Sequence, residues 1–144
     1  MTNSQTIRVT TIPAIRYANA DQAIDWLTRV LGFTAKAVYR ENGDVAHAEL
    51  VLGNGMVMLG TFGHNKQTAG WFVEPSAVGG TTASVYLTVP ACDPVYDAAK
   101  AAGAEILEDL DEKPYGGKAF VVRDPEGHIW SIGEYDPWST ESSK

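Results

Sequence analysis

One order of strands and helix occurs twice in the chain, and this internal repeat limits the possible folds more than any other feature. A shift of 71 residues, from position 20 to position 91, superimposes Ala20 on Ala91 and Gly32 on Gly103. The identity between the halves is low, but the start, the apolar stripe and the end of the two predicted helices coincide. With only two copies, the repeat predicts two half-domains that share one sheet, because a solenoid needs more repeats to bury its core.

The first half is predicted to contain a strand, a helix and three more strands. Asn19 or Asp21 is the expected N-cap of the helix, and Gly32 ends it. The pairs Asn42-Gly43 and Asn54-Gly55 predict two tight hairpins, since both residues of such a pair tolerate a positive φ. The predicted strands lie at residues 10–18, 35–40, 45–52 and 56–60.

The second half repeats this order after a long connection at residues 61–82, which is rich in Gly, Thr and Asn. Asp93 is the expected cap of its helix, with Pro94 at the first helical position, and Gly103 ends the helix. The sequence Asp-Pro-Glu-Gly at residues 124–127 predicts a tight turn. The strands are predicted at residues 83–89, 104–108, 118–123 and 128–135.

Composition narrows the functional classes. The chain has 144 residues, of which 44% are hydrophobic, enough for one domain with a real core. The net charge is −7 and no basic run occurs, so a nucleic-acid partner is not expected.

The chain lacks an apolar run long enough to span a membrane and lacks the apolar core of a secretory signal near Met1. The single cysteine, Cys92, excludes an internal disulfide and a thiolate cluster, and it fits the cytoplasm.

Several short motifs, in this order and at these spacings, resemble the vicinal oxygen chelate superfamily, and within it the glyoxalase, bleomycin resistance and dioxygenase group. The resemblance covers about residues 8–137 and is more specific for the fold than for an activity. The motifs are IPAIRY at 12–17, AIDWL at 23–27, LGF at 31–33, HAEL at 47–50, VMLG at 57–60, AAGA at 101–104 and DPEGHIW at 124–130.

The resemblance implies an α+β fold in which two βαβββ modules form one curved, mostly antiparallel, eight-stranded sheet with a concave cavity. The implied boundaries are a first module at 8–62, a linker at 63–82, a second module at 83–137 and a tail at 138–144, all within a single domain at 1–144. It also implies a homodimer. Alternation along the third strand predicts that His47 and Glu49 face the cavity and that Ala48 and Leu50 face the helices.

Enzymes of this family hold a divalent metal with one ligand from each of four strands. By the resemblance, the four ligand positions fall on Ile12, Met58, Ser84 and Ser131. Divalent ions need oxygen or imidazole ligands, and none of these side chains is a good one. We therefore expect no metal and no cofactor, although a displaced set of His47, Glu49 and Glu134 is an alternative. His64 and His128 are interpreted as a solvated loop residue and a strand-edge residue.

The predicted cavity is apolar with few polar anchors, which suits a small organic ligand. Arg16 has two alternatives, a clamp for a ligand or an ion pair with Glu49. Trp71 and Phe72 lie in the connection, where they would stack on a ligand or enter a dimer contact. The candidate ligand-binding residues are Arg16, His47, Glu49, Met56, Met58, Trp71, Tyr86, Phe120, Ile129 and Ser131.

Other aromatic and reactive side chains receive structural interpretations. Trp26 is assigned to the core or an interface, and Trp130 to the core. Tyr115 is a lid residue or a plain surface turn. Cys92 is interpreted as an ordinary, half-buried thiol, because no histidine lies near it in sequence.

The sequence thus predicts a metal-independent binding protein for a drug or metabolite, of the kind linked to antibiotic resistance. The alternative is a lyase, an isomerase or a dioxygenase-like enzyme that uses a displaced metal or acid–base chemistry. The candidate catalytic residues for that alternative are His47 and Glu49, because imidazole titrates near neutral pH and burial raises a carboxylate pKa. A third possibility is a stress or regulatory protein that acts through a partner surface.

Overall fold

The computed structural model describes residues 9–139. The expected first residue of the first module, at position 8, and residues 140–144 of the expected tail lie outside this range. Two compact units divide the described residues: the first contains residues 9–28 and 32–72, and the second contains residues 29–31 and 73–139. None of the helices in residues 9–139 is both long and apolar enough to cross a membrane.

The first unit contains a four-stranded sheet. Its strand order is β1-β4-β3-β2, in which β1 and β4 are parallel and the other two pairs are antiparallel. The helix α1 follows β1 in sequence. The bounds are β1 Ala14–Tyr17, α1 Ala20–Arg29, β2 Thr34–Glu41, β3 Asp44–Leu52 and β4 Gly55–Thr61.

The second unit repeats this topology with the order β5-β8-β7-β6, again with one parallel pair, β5 and β8. The predicted α+β class and the repeated order of strand, helix and three strands are confirmed, with the eight strands arranged as two four-stranded sheets. The bounds are β5 Val85–Thr88, α3 Cys92–Ala101, β6 Glu105–Glu112, β7 Lys118–Arg123 and β8 Ile129–Gly133.

The connection between the two sets of strands is partly helical. A 3₁₀ turn, Ala69–Trp71, and the one-turn helix α2, Pro75–Val78, lie within the segment that the sequence predicts as a long loop. Pro75 at the first turn of α2 is buried. A Cβ added to Gly127 would lie 3.0 Å from the Cβ of Pro75, so the turn after β7 packs closely on this helix.

The start and end of α1 are as predicted. The Asn19 side chain accepts a hydrogen bond from the backbone N–H of Gln22 at 3.0 Å, which is the geometry of an N-cap. Gly32 has a φ of 88°, and the N–H of Phe33 donates to the carbonyl of Leu27 at 3.1 Å. Asp21 pairs instead with Arg40 of β2, and this hydrogen bond holds the pKa of Asp21 below its usual value.

The start of α3 corrects the prediction for Asp93. The N-cap position is Ala91, which has no side-chain acceptor. The carboxylate of Glu134, just after β8, accepts the N–H of Cys92 at 2.9 Å and thus caps the helix from a distant part of the chain. Asp93 forms an ion pair with Lys118 at 3.2 Å. A short-range sequence pattern cannot reveal an acceptor that lies more than 40 residues away.

Of the two hairpins of the first sheet, one has the predicted turn and the other has a turn that is shifted by one residue. Asn42 and Gly43 have φ values of 52° and 86°, so this turn has two positive φ angles, as predicted. In the second hairpin Leu52 pairs with Gly55, and the positive φ, 58°, belongs to Gly53. The turn is therefore Gly53-Asn54, and the prediction of Asn54-Gly55 is wrong because the pattern offers a glycine on either side of Asn54.

Each sheet has one face of fully buried apolar side chains. In the second unit α3 packs on β6 and β7, and the indole N–H of Trp130 donates to the buried carboxylate of Asp124 at 3.1 Å. The predicted core position of Trp130 is confirmed, and Trp26 of α1 is likewise buried. The buried side chains are Tyr17, Ala48, Leu50, Val57 and Leu59 in the first sheet, and Phe120, Val122, Trp130 and Ile132 in the second.

Candidate functional site

The face of the first sheet opposite its buried side chains carries the charged candidates, and we call it the open face. Along β3, His47 and Glu49 alternate with the buried Ala48 and Leu50, so their side chains leave the core. Glu49 lies directly across from Met58 of β4. The open face comprises Arg16, Lys36, Tyr39, His47, Glu49, Met56 and Met58.

A carboxylate with two basic partners lies on this face. Nε2 of His47 lies 2.9 Å from one oxygen of Glu49, and Nζ of Lys36 lies 3.6 Å from the other. The hydrogen bond from His47, followed by the charge of Lys36, keeps the pKa of Glu49 below its usual value against the opposing effect of burial. Glu49 is thus an ionised acceptor, and His47 donates to it through Nε2. This fixes the imidazole in one orientation.

Tyr39 lies over the imidazole. Its ring is nearly parallel to that of His47, with an interplanar angle of 21° and 6.0 Å between centroids. The two residues are register partners across β2 and β3, and the tyrosine is 59% exposed. The open face therefore presents a flat aromatic surface beside a charged group.

Arg16 makes the second flat surface. Its guanidinium carbon lies 4.5 Å from the centroid of the Phe72 ring, a cation–π contact between β1 and the connection. Arg16 lies across from Gly60, and its Cδ would be 3.6 Å from a Cβ at that position, so the arginine stem lies in van der Waals range of the β4 backbone. The predicted ion pair between Arg16 and Glu49 is not the arrangement found. Arg16 stacks on Phe72, and Glu49 pairs with His47 and Lys36.

Trp71 ends the 3₁₀ turn directly before Phe72 and is 75% exposed. Met56 pairs with Val51, and Met58 with Glu49, so both methionines face away from the buried Val57. Arg16, His47, Glu49, Met56, Met58 and Trp71, all candidates from the sequence, thus lie in the first unit.

The remaining candidates lie in the second sheet, and one of them is misplaced by the prediction. Tyr86 of β5 pairs with Ser131 of β8, and both are at least partly exposed, as is Ile129. Phe120 is fully buried, and its ring meets that of Tyr96 of α3 edge to face, with 5.2 Å between centroids. It therefore lies on the helix-covered face, and its predicted place beside Tyr86 is wrong. An apolar run such as Ala-Phe-Val-Val does not reveal which alternate set is buried.

The described residues do not fit the metal that the family resemblance implies. Met58 and Ser131 offer a thioether and a hydroxyl at the implied ligand positions, and Ile12 and Ser84 precede β1 and β5. Within residues 9–139, no group of three or more His, Cys, Asp or Glu side chains is arranged to hold a metal ion. Glu134 of the displaced set already accepts the backbone N–H groups of Cys92 and Lys118, which lower its pKa.

His64 and Cys92 also have defined environments. His64 lies in a loop, as predicted, but its imidazole lies 2.9 Å from Glu41 and 3.3 Å from Asp44, so two carboxylates hold it where the prediction had only solvent. Cys92 is fully buried rather than half-buried, and burial raises the pKa of its thiol to about 11. The interpretation of Cys92 as an ordinary thiol is supported, since only the thiolate is nucleophilic and burial disfavours the thiolate.

Sequence reasoning missed two members of the open face, Lys36 and Tyr39. Counting back from the Asn42-Gly43 turn would place Tyr39 across from Ala46, and a register shift between Tyr39 and Arg40 places it across from His47 instead. Lys36 was hidden by irregular pairing between Ala35 and Ala37, which breaks the simple count along the strand.

Comparison with known proteins gives both sequence and structural relatives. The family model described as Glyoxalase/Bleomycin resistance protein/Dioxygenase superfamily matches residues 9–132. An uncharacterised protein of Mycobacterium bovis is 31% identical over 125 residues, covering 85% of this chain and 80% of that protein. An uncharacterised protein of Mycobacterium tuberculosis is also 31% identical over 125 residues, covering 85% of this chain and 72% of that protein.

Among solved structures, TioX from Micromonospora sp. ML1 is 32% identical and has a TM-score of 0.68, covering 88% of this chain and 100% of that chain. The fosfomycin resistance protein FosX from Mesorhizobium loti is 10% identical, with a TM-score of 0.63 and coverage of 92% and 96%. At that identity the likeness to FosX concerns the fold alone.

Proposed function

Since the chain belongs to the glyoxalase/bleomycin resistance protein/dioxygenase superfamily, we propose that it is a metal-independent binding protein for a small organic molecule. The observation that carries this proposal is Met58, a thioether directly across from Glu49 on the open face. A divalent ion at that position would need an oxygen or imidazole donor. The side chain present favours contact with carbon instead.

The chemistry of the open face supports a flat, amphipathic ligand. The guanidinium of Arg16 on Phe72 and the ring of Tyr39 on His47 both offer planar surfaces for stacking. The exposed indole of Trp71, adjacent to Phe72, adds a third. The ionised Glu49 with its bound imidazole supplies a polar anchor. Such a combination of apolar area and few fixed polar groups is typical of small-molecule sites.

Thermal unfolding with added EDTA tests ligand binding without metal. A panel of planar aromatic compounds that includes metal-free bleomycin should contain members that raise the Tm, because a ligand that binds the folded state stabilises it. Trp71→Ala should abolish this rise. Trp138→Ala is the matched control, since Trp138 is 92% exposed but lies in the second unit, and it should leave the rise intact.

Native mass spectrometry with Mn²⁺, Ni²⁺, Zn²⁺ and Fe²⁺ tests the metal-independent part of the proposal. We expect no stoichiometric complex with any of them. A one-to-one metal complex that is lost on His47→Ala or Glu49→Ala would overturn the proposal and favour an enzyme with a displaced metal.

One observation favours a second function, proton transfer. The 2.9 Å contact between His47 and Glu49 orients an imidazole with a carboxylate, an arrangement that enzymes use to position a general base. For a compound that the panel identifies, turnover in the wild type that falls about 100-fold or more in His47→Ala would establish this alternative. A binding protein would show no turnover and only a modest loss of affinity.

The homodimer and the cytoplasmic location remain predictions of this proposal. Light scattering of the purified protein tests the dimer directly, and a monomer at micromolar concentration would contradict it.

A further inference from the structure

Three tyrosines come together in the second unit, and we call them the tyrosine cluster. The rings of Tyr115 and Tyr135 meet with 5.3 Å between centroids and an angle of 68°. The hydroxyl of Tyr86 donates to the backbone carbonyl of Tyr135 at 2.7 Å. The three side chains are 40%, 46% and 37% exposed, in the order Tyr86, Tyr115 and Tyr135. Two partly exposed rings thus meet at a steep angle.

Two glycines make this arrangement possible. A Cβ on Gly133 would lie 2.8 Å from Cε1 and 2.9 Å from Cζ of Tyr86, so this ring can lie against the backbone of β8 only because residue 133 is glycine. A Cβ on Gly117 would lie 2.9 Å from Cβ of Glu134, directly before Tyr135. The turn that carries Tyr115 therefore packs closely on the segment that carries Tyr135.

The backbone around Tyr115 is fixed by hydrogen bonds. The N–H of Gly116 donates to the carbonyl of Lys113 at 3.0 Å, and the N–H of Lys113 donates to the carbonyl of Gly117 at 2.8 Å. These bonds close a tight turn around Pro114 and Tyr115. The backbone that carries the Tyr115 ring is thus held by the fold, and the ring itself contacts Tyr135. Such order before a ligand arrives lowers the entropic cost of binding.

The charges around the tyrosine cluster favour a cation. The ammonium of Lys113 pairs with Glu108 at 3.5 Å, and that of Lys118 pairs with Asp93 at 3.2 Å, so both neighbouring lysines have carboxylate partners. Burial raises the pKa of Tyr86, and the negative charge of the Asp136 carboxylate adds to this effect. The phenol of Tyr86 is therefore neutral at physiological pH and keeps an electron-rich face, with the Asp136 carboxylate in its surroundings.

We propose that Tyr86, Tyr115 and Tyr135 form a binding site for a quaternary ammonium group, in which two ring faces at a steep angle and a nearby carboxylate receive the cation. Aromatic rings attract cations through their electron-rich faces, and several rings around one methylated ammonium form the usual protein site for such groups. The proposal goes beyond the function proposed above, since it uses residues of the second unit alone.

Choline and its neutral isostere, 3,3-dimethylbutan-1-ol, provide the test, because they share a shape and differ in charge. NMR spectra of protein labelled with ¹³C in the tyrosine rings should show saturable shifts of Tyr86, Tyr115 and Tyr135 as choline is added. The neutral alcohol should bind about tenfold more weakly, which is the size expected when a cation–π attraction is removed.

Variants distinguish the cation site from a plain apolar patch. Tyr115→Leu should weaken choline binding about tenfold, whereas Tyr115→Phe should keep it, since the aromatic face remains. Gly133→Ala should also weaken it by displacing the Tyr86 ring, and a thermal melt reports whether that variant is folded. Val78→Ala, at an exposed apolar side chain of the second unit outside the tyrosine cluster, is the control and should bind choline like the wild type.

Equal affinity for choline and for the alcohol would overturn the proposal. Equal losses of affinity in Tyr115→Leu and Val78→Ala, or the absence of saturable ring shifts, would also overturn it. None of these results would affect the function proposed for the open face. That function is tested with Trp71→Ala and with metal ions.

Discussion

The helices α1 and α3 follow equivalent strands of the two sheets, yet they begin in different ways. The cap of α1 is local, since the Asn19 side chain accepts the N–H of a residue three positions later. The cap of α3 is distant, since the Glu134 carboxylate reaches the N–H of Cys92 across 42 positions. The equivalent helix is thus capped by a neighbouring residue in the first unit and by a distant segment in the second.

This difference extends to the strands. The turn between β2 and β3 is determined by Asn42 and Gly43 themselves, through their positive φ angles. In the second unit Glu134 also accepts the N–H of Lys118 at 3.0 Å, so one carboxylate joins the end of β8, the start of β7 and the start of α3. We therefore expect substitutions that remove long-range contacts of the second unit to cost more stability than those that remove local contacts of the first.

The largest effect is expected for Phe120→Ala. This side chain is fully buried against Tyr96, and its loss leaves a cavity between β7 and α3, which should lower the free energy of unfolding by about 3–5 kcal/mol. The neighbouring Val121→Ala is the control, because Val121 faces the other side of β7 and is only half-buried, so its cost should be about 1 kcal/mol. Urea unfolding measures both. Equal losses would show that the face assignment of β7 is wrong.

Removing the distant cap should have the second largest effect. Glu134→Ala leaves two backbone N–H groups without their acceptor, and we expect a loss of about 2 kcal/mol because the site is partly exposed. Asn19→Ala removes the local cap of α1 and should cost about 1 kcal/mol.

The pH dependence separates the two caps. The two backbone hydrogen bonds lower the pKa of Glu134 below 4.5, so its contribution is present above that pH and is lost as the pH falls through the folded-state pKa. Asn19 does not titrate. The stability difference between wild type and Glu134→Ala should therefore shrink in acid, whereas the difference for Asn19→Ala should not. A difference for Glu134→Ala that is unchanged at low pH would contradict the ionic cap.

A smaller difference in stability is expected between variants of the two hairpins of the first sheet. Asparagine tolerates a positive φ better than alanine does, because its short polar side chain can hydrogen-bond locally. Asn42→Ala, at a φ of 52°, should therefore lower the free energy of unfolding by about 1 kcal/mol. Asn54→Ala should stay within about 0.5 kcal/mol, because the positive φ of that turn belongs to Gly53. Asn42→Gly serves as the control and should retain stability. A larger cost at Asn54 than at Asn42 would restore the originally predicted turn.

The same contrast between local and distant interactions explains how far the sequence predicts the structure. The cap at Asn19, the Asn42-Gly43 turn and the buried Trp130 follow from nearby residues, and all three are confirmed. The cap of α3 and the partners of His64 depend on residues that only the fold brings near. Within the sheets, alternation correctly separates His47 from Ala48 but fails at Phe120, where the apolar run supplies no polar residue to mark the exposed side.

The sequence predicts the candidate site on the open face to the same extent: contacts within one strand follow from it, and contacts between strands do not. The strand that carries His47 and Glu49 was sufficient to predict that both leave the core, because polar and apolar residues alternate there. Their partners Tyr39 and Lys36 come from β2, whose pairing with β3 is irregular at two points. A register that shifts within a strand cannot be counted from the sequence, so the stack and the ion pair required the structure.

The smallest effect is expected at His64, which lies on the protein surface near the first hairpin. Both of its ring nitrogens face carboxylates, Glu41 at 2.9 Å and Asp44 at 3.3 Å, and a ring that donates on both sides must be protonated. The hydrogen bonds to Glu41 and then Asp44 raise the pKa of His64 above 6.5. The protonated imidazole therefore joins the segment after β4 to both ends of the turn between β2 and β3.

A group whose pKa is raised by folding stabilises the protein fully below its unfolded-state value, here 6.5, and this contribution is lost as the pH rises through the folded-state pKa. Thermal melts of the wild type and of His64→Gln should accordingly differ most at pH 5.5 and converge by pH 9. Added salt should reduce the difference, because exposed ion pairs are screened. A difference that grows with pH would mean that His64 acts as a neutral ring, and the contact would then be no more than packing.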